Sequence, residues 1–471
     1  MIKFGTDGWR AVMGEEFTFE NVACVIQAYA DLVRHELPLK QPIPLGFDRR
    51  LHSREFAEKV ASVLAANGLP VLMSQDYCPT PCISWMTKST GAINGIMITA
   101  SHNPAQWNGV KFKESYGGSA APAFTSQIEA QIEKNNGKTP KEIPFDEAVR
   151  KKFVTFFDPH QGYVDQLHSC IDLKAIRKAN FKIAYDPLYG AGAGFLSKVL
   201  KSPIQEIHFD PDPSFGGLNP EPIEQNLKAL ITLVQKEKCD VGLATDGDAD
   251  RIGAVDENGK FVNSHQIYAL LLRHLLSKGL RGGIVKTVTT TQMIDRIAAQ
   301  HHLAVYELPV GFKHICQKFR ELDSQGGPLI GGEESGGIAI PSHVYERDGL
   351  LCGLLLLEIM AQSDKRLGEL LNDLEKEIGP FHFKRVDFHL SANELERLRK
   401  GDGLTDISKI GGMKVARLNA LDGFKYLLED ESWLLIRVSG TEPLVRVYAE
   451  GPSEAHVEKL ISEGRSLLKL V

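Results

Sequence analysis

Apolar positions along this chain repeat one arrangement three times: a short apolar run, a loop, then a stripe with helical spacing. Ile43-Pro44-Leu45-Gly46-Phe47-Asp48 leads into a helical pattern from Ser53 to Asn67, with Gly68 as its stop. Phe181-Lys182-Ile183-Ala184-Tyr185-Asp186 leads through a glycine-rich turn into Gly194 to Leu200, and Gly283-Ile284-Val285-Lys286 leads into Gln292 to Gln300. Strand, loop and helix in that order predict β-α units, so the fold class expected is α/β: three related domains with mixed, mainly parallel sheets covered by helices. After Gly379 the pattern changes. Lys384 to Leu390 alternates as a strand, Glu394 to Lys400 is helical, and Trp433 to Val438 and Val445 to Glu450 read as strands before a closing helix. This predicts a smaller C-terminal α+β domain. Turn formers gather at Asp158-Pro159-His160-Gln161-Gly162, around Glu257-Asn258-Gly259, and at Gly379-Pro380-Phe381. They divide the chain into pieces 1–158, 159–260, 261–379 and 380–471.

A length of 471 residues fits this division, because single cores stop growing well below it. Apolar residues at 43% and charged ones at 24% are those of an ordinary globular protein. The formal charge of -6 gives no basic footprint, so neither nucleic acid nor an anionic membrane is expected as a partner. Met1 to Gly5 carries no charged-then-apolar leader, and a cytoplasmic location is the expectation. Leu350 to Ala361 is the most apolar stretch; interrupted by Glu358 and too short to span a bilayer, it predicts a buried helix. The seven cysteines are scattered and read as reduced structural thiols. Cys78 and Cys82 have no partner pair at zinc-like spacing.

Four short islands carry the chemistry. Ser101 follows the apolar strand Gly95-Ile96-Met97-Ile98-Thr99 and opens the polar run His102-Asn103-Pro104, which delivers a hydroxyl from a rigid strand end. A turn serine capping backbone amides is the bland alternative; a serine hydrolase lacks its Gly-x-Ser-x-Gly elbow here. Asp246, Asp248 and Asp250 alternate after another apolar strand, so an extended backbone turns their carboxylates to one side. Three adjacent anions need a cation. All-oxygen ligation suits Mg²⁺, with a Ca²⁺ loop or an exposed acidic turn as rivals; Arg251 stands where a calcium loop requires glycine. Glu333 and Ser335 lie among glycines after Leu329-Ile330, a loop able to approach a ligand closely and grip hydroxyls, or a plain glycine-rich turn. Arg437-Val438-Ser439-Gly440-Thr441, with Arg446 nearby, offers a guanidinium, hydroxyls and backbone amides to a phosphate dianion, or forms a hairpin turn with solvated arginine. Lys111 offers positive charge or a proton near Ser101, or a solvated ammonium.

Together and in this order, with Phe4-Gly5-Thr6-Asp7-Gly8-Trp9-Arg10 ahead of them, these islands resemble the α-D-phosphohexomutase family across nearly the whole chain. The resemblance implies four domains around a central cleft and a phosphoryl group carried on Ser101. It implies Mg²⁺ held by Asp246, Asp248, Asp250 and the serine phosphate, and roles at the transfer centre for Thr6, Arg10, His102, Lys111 and Arg251. It further implies sugar contacts from Glu333 and Ser335, and a clamp for the non-reacting phosphate from Arg437, Ser439, Gly440, Thr441 and Arg446. The substrate implied is a hexose phosphate, with glucose 1,6-bisphosphate as intermediate and activator, acting in a monomer or homodimer.

Within the family, Gly-Glu-Glu-Ser-Gly at the sugar loop resembles the glucose-preferring members, and Val310-Gly311-Phe312-Lys313 is similar to their Thr-Gly-Trp-Lys segment, which makes Lys313 a further candidate for substrate contact. Gly337 stands where other branches carry histidine, and Phe312 where tryptophan is usual. The expected reaction interconverts glucose 1-phosphate and glucose 6-phosphate, with mannose phosphates as further substrates. The same residues would serve a glucose 1,6-bisphosphate synthase fed by another sugar bisphosphate, and a catalytically silent sugar-phosphate or calcium-binding protein is the alternative of a different class.

Overall fold

The computed structural model describes residues 2–5, 7–439 and 444–468. Four sheets follow one another along the chain. The first has six strands in the order Trp9–Val12, Trp107–Glu114, Asn94–Ile98, Ile43–Phe47, Val71–Ser74 and Val154–Phe157. Its last four strands run parallel, while Trp107–Glu114 pairs antiparallel with both neighbours. The second has five strands, Phe261–Val262, Ile252–Val255, Val241–Thr245, Ile183–Asp186 and Gln205–Glu206, half of whose pairings are parallel. The third, Val305–Leu308, Gly283–Thr287, Pro328–Gly332 and Ile338–Ala339, is parallel except at its last pair. The fourth is fully antiparallel, with His382–His389, Leu444–Gly451, Trp433–Val438, Phe424–Leu428, Met413–Asn419 and Lys409–Ile410 in that order.

The α/β class with a C-terminal α+β domain is therefore the observed one. The helical stripe after the first predicted strand forms Ser53–Ala66, with its apolar face on the sheet and Gly68 in the left-handed region beyond its end (φ +76°). One turn differs from expectation. Glu257-Asn258-Gly259 closes a hairpin, and Phe261–Val262 beyond it still pairs with Ile252–Val255, because the apolar register continues past the turn.

The apolar run from Leu350 is a buried core helix. It forms helix Gly349–Ser363, buried through Met360 and started by Asp348, whose carboxylate accepts the Leu351 amide at 2.9 Å. With no polar face, it has to be covered on all sides; helices Leu173–Ala179 and Ser264–Ser277 and strands Val241–Thr245 and Ile252–Val255 of the second sheet pack against it, in one continuous core that extends into the third sheet. That shared core fixes those two sheets relative to each other. The C-terminal domain keeps its own core and meets the third through a small apolar contact of Val288, Trp433, Leu435 and Tyr448. Among the described residues, no helix is long and apolar enough to cross a membrane.

Candidate active site

Ser101 sits just beyond strand Asn94–Ile98, in the left-handed region at φ +53°. A serine gains nothing from that conformation, so surroundings must impose it. Its amide donates to Thr99 Oγ1 (2.9 Å), and its carbonyl accepts from Arg50 (2.6 Å). The result points the hydroxyl across the domain boundary to Asp246, with Oγ 2.8 Å from Oδ2. Gly247 is required there: a Cβ on it would lie 2.4 Å from the Ser101 carbonyl oxygen.

Asp246, Asp248 and Asp250 follow strand Val241–Thr245 and are fully buried, and one oxygen from each lies within 4.8 Å of the others. Burial and the neighbouring Asp248 and Asp250 push the Asp246 carboxyl well above the ordinary carboxylate range. Asp248 goes the opposite way: burial would raise it, but the Lys111 ammonium and the Thr80 hydroxyl, at 2.8 and 2.5 Å, hold it below that range. Asp248 Oδ1 and Asp250 Oδ1 are buried with no hydrogen-bond partner among the described residues. Orphaned carboxylate oxygens converging in this way fit a hard divalent cation.

Cations surround the trio. Lys111 reaches Asp7, Asp248 and Asp250 at 2.8, 2.8 and 3.1 Å with no exposure. Burial alone would lower its pKa; the three carboxylates outweigh that and raise it above the ordinary lysine value. Of the two services its sequence position suggested, fixed charge is the one these surroundings support. Arg251 holds Glu221 at 3.0 Å, its Nε 4.0 Å from Asp246 and Asp250. Arg10 donates to Asn103 at 2.8 Å. His102 Nδ1 lies 3.4 Å from Ser101 Oγ; burial and the charges of Arg251 and Arg10 hold its pKa well below 6.5, so the ring is neutral.

The sugar loop abuts this centre directly, the Ile252 amide donating to the Gly336 carbonyl at 3.1 Å. Glu333 is buried, accepts the Gly311 amide at 3.0 Å, and has its pKa pushed up to about 7 by burial against the opposing pull of Arg347. Ser335 Oγ is buried and makes no hydrogen bond among the described residues. Lys313 is half-buried and reaches the Gly5 carbonyl at 3.5 Å. In the C-terminal domain, Arg437 and Arg446 are cross-strand partners, each beside a carboxylate: Asp422 at 2.9 Å and Asp387 at 3.7 Å. Ser439 is buried at the end of the same strand. Thr6, Gly440 and Thr441 lie outside the described residues.

One residue absent from the motifs ties these parts together. Arg347 contacts Asp7 (2.6 Å), Asp250 (2.8 Å) and Glu333 (3.6 Å), joining the first domain, the acidic trio and the sugar loop. From Glu333 the polar chain continues through Gly311 to the adjacent Val310, whose amide donates to Asp422, and so to Arg437. All four islands thus lie on one path of contacts. Arg50, Thr80 and Arg347 escape a motif reading, and Asp7, though inside the opening motif, received no role from it; the available signal for Arg347 was the charged run Glu346-Arg347-Asp348 set directly against an apolar helix.

Profiles of four domain types match the chain in order: phosphoglucomutase/phosphomannomutase alpha/beta/alpha domain I over residues 1–138, domain II over 161–259, domain III over 263–378, and the C-terminal domain over 394–465. The chain is 30% identical to a phosphoglucomutase/phosphomannomutase of Thermococcus kodakarensis, covering 99% of this chain and 98% of that protein. It is 31% identical to a phosphoglucosamine mutase of Acetivibrio thermocellus, over 97% and 96% of the two chains. A solved structure from Thermus thermophilus, described as a phosphomannomutase, superposes with a TM-score of 0.86 at 34% identity, covering 99% of each chain.

Proposed function

The chain belongs to the phosphoglucomutase/phosphomannomutase family of phosphohexomutases, and from that premise we propose that it interconverts glucose 1-phosphate and glucose 6-phosphate through phosphoserine 101, with mannose phosphates as secondary substrates. The observation that carries the reading is the 2.8 Å approach of Ser101 Oγ to Asp246 inside a buried acidic trio that Arg347 joins to the sugar loop. The glucose preference rests on Glu333-Glu334-Ser335 and on Gly337, whose missing side chain makes room for Arg347 against the loop.

Phosphorylated Ser101 carries a dianion towards Asp246, an arrangement only a cation can reconcile. Asp246, Asp248, Asp250 and the serine phosphate would hold Mg²⁺, which supplies positive charge to the transferring group when bound. The Ser101 Oγ–P bond breaks as the sugar hydroxyl forms its own bond to phosphorus. The hydroxyl proton passes by way of His102 Nδ1 to the departing Ser101 Oγ, 3.4 Å away, so the leaving oxygen ends as a hydroxyl and the ring ends neutral as it began. Arg251 and Lys111 remain charged throughout and offset the anionic centre. Glucose 1,6-bisphosphate then reorients. Arg437, Ser439, Gly440, Thr441 and Arg446 hold whichever phosphate is not reacting, and Glu333, Ser335 and Lys313 hold the sugar in either orientation. The other phosphate returns to Ser101.

A panel of glucose, mannose and glucosamine phosphates, each assayed with Mg²⁺ and glucose 1,6-bisphosphate, tests this reading. Glucose 1-phosphate should have the highest kcat/KM. Failure to isomerise any hexose phosphate would refute the proposal, and net bisphosphate formation from fructose 1,6-bisphosphate and glucose 6-phosphate would replace it with a synthase.

A further inference from the structure

Arg50 touches no candidate ligand-binding side chain, yet its guanidinium lies at the hub of the serine loop. Nη2 donates to the carbonyls of Ser101 and Asn103, both at 2.6 Å, and Nη1 to those of Pro104 and Trp107, at 2.9 and 3.0 Å. Its Nε faces Asp48 Oδ2 at 3.3 Å, and both side chains have zero exposure. Asp48 is itself fixed, its other oxygen accepting the Ser53 hydroxyl and the Arg50 amide at 2.6 and 3.0 Å. From the second domain, the Phe215 ring lies 4.8 Å from the guanidinium.

We propose that Arg50 is a positioning residue for phosphoryl transfer: it winds residues 101–107 around one planar cation and so holds Ser101 in the conformation that aims its oxygen at the acidic trio. This rests on the reading of Ser101 as phosphoryl carrier. The shape of the donor matters. Four carbonyls at fixed angles are served by the two terminal nitrogens of a guanidinium, whereas an ammonium on a flexible stem cannot satisfy them together. Ser101 at φ +53° is a conformation that relaxes unless its neighbours over-determine it. Thr99 Oγ1 holds the amide side, Arg50 the carbonyl side, and Gly247 lets the second domain close over that carbonyl. Arg50 therefore governs how well the phosphoserine is aimed and leaves the sugar and phosphate contacts alone.

Arg50→Lys retains the charge and removes the fork. With glucose 1-phosphate as substrate and glucose 1,6-bisphosphate as activator, kcat is expected to fall about a hundredfold with KM within about threefold of wild type. A poorly aimed phosphoserine should also lose its phosphoryl group to water faster, measured by intact mass over time without sugar. Asp48→Asn, which loosens the anchor and leaves the guanidinium in place, should show the same kcat-selective loss at smaller size, and decides the matter if Arg50→Lys does not fold. A kcat within about threefold of wild type in a folded variant, or a fall in kcat matched by a rise in KM and a collapse in Tm, overturns the proposal. A wild type that neither carries phosphate on Ser101 nor isomerises hexose phosphates overturns the underlying reading and this inference with it. An active wild type beside unaffected variants overturns the inference alone.

Discussion

Arg347 occupies the space that any side chain at position 337 would need: a Cβ built on Gly337 would lie 2.3 Å from Arg347 Cδ and 3.0 Å from Cγ. That arginine bridges Asp7, Asp250 and Glu333, so the missing side chain on the sugar loop and the charge balance of the acidic trio are one structural fact. Gly337→Ala should push Arg347 Cδ aside by about an ångström, because ordinary contact begins at 3.4 Å. Gly337→His should evict it, leaving three carboxylates short of a cation. Kinetics on glucose and mannose 1-phosphates should show a loss of about tenfold in kcat/KM for alanine and a larger one for histidine. Equal activity of wild type and Gly337→His would mean that Arg347 repacks at no cost.

Ser101→Ala should abolish turnover, by at least about a thousandfold, because its hydroxyl is the one that stands against Asp246. Intact mass should show one phosphoryl group fewer than wild type. Unchanged mass together with retained activity would remove Ser101 from the mechanism.

The divalent ion is testable without turnover. Removing metal with a chelator and restoring Mg²⁺ should raise the wild-type Tm, since an ion bound only by the folded state stabilises it by mass action. Asp246→Asn should abolish that rise and lower kcat at least about a hundredfold. Asp246 is the informative choice, because Asp248 is also engaged by Lys111 and Thr80, and its replacement disturbs packing as well. A Mg²⁺-dependent Tm rise of wild-type size in Asp246→Asn would place the ion elsewhere.

Away from the cleft, Lys425 of the C-terminal domain is buried against Glu307 of the third at 2.7 Å, with the Trp433 ring 4.6 Å away. Burial first and the nearby Lys286 second lower its pKa to about 8, Glu307 opposing. With the folded value below the unfolded one of about 10.5, the unfolded chain binds more protons between these limits, so this group makes stability rise as pH increases from about 8 to 10.5. Lys425→Met removes that contribution. The Tm difference between wild type and variant should therefore move in favour of wild type across this window, and a constant difference would rule out a depressed Lys425.

The serine loop, the acidic trio, the glycine-rich loop and the arginine strand were all legible in the sequence, because each is a local pattern: an apolar strand that ends in chemistry within a few residues. The three α/β units were legible for the same reason, as was the buried helix at Leu350. Arg50, Arg347 and the ion-pair role of Asp7 were not. Arg347 meets Asp7 across 340 residues, and Lys111 meets Asp248 across 137. In sequence each is one more charged residue in a chain where 24% of positions carry charge.

Backbone periodicity and short-range spacing thus determined which elements form and which residues cluster at their ends, since both follow from side-chain alternation and helical pitch. Tertiary packing decided which buried charges face one another, which of them are desolvated, and why Ser101 is held at φ +53°. Those outcomes depend on surfaces distant in sequence being pressed together until water is excluded and the remaining polar atoms have to find partners.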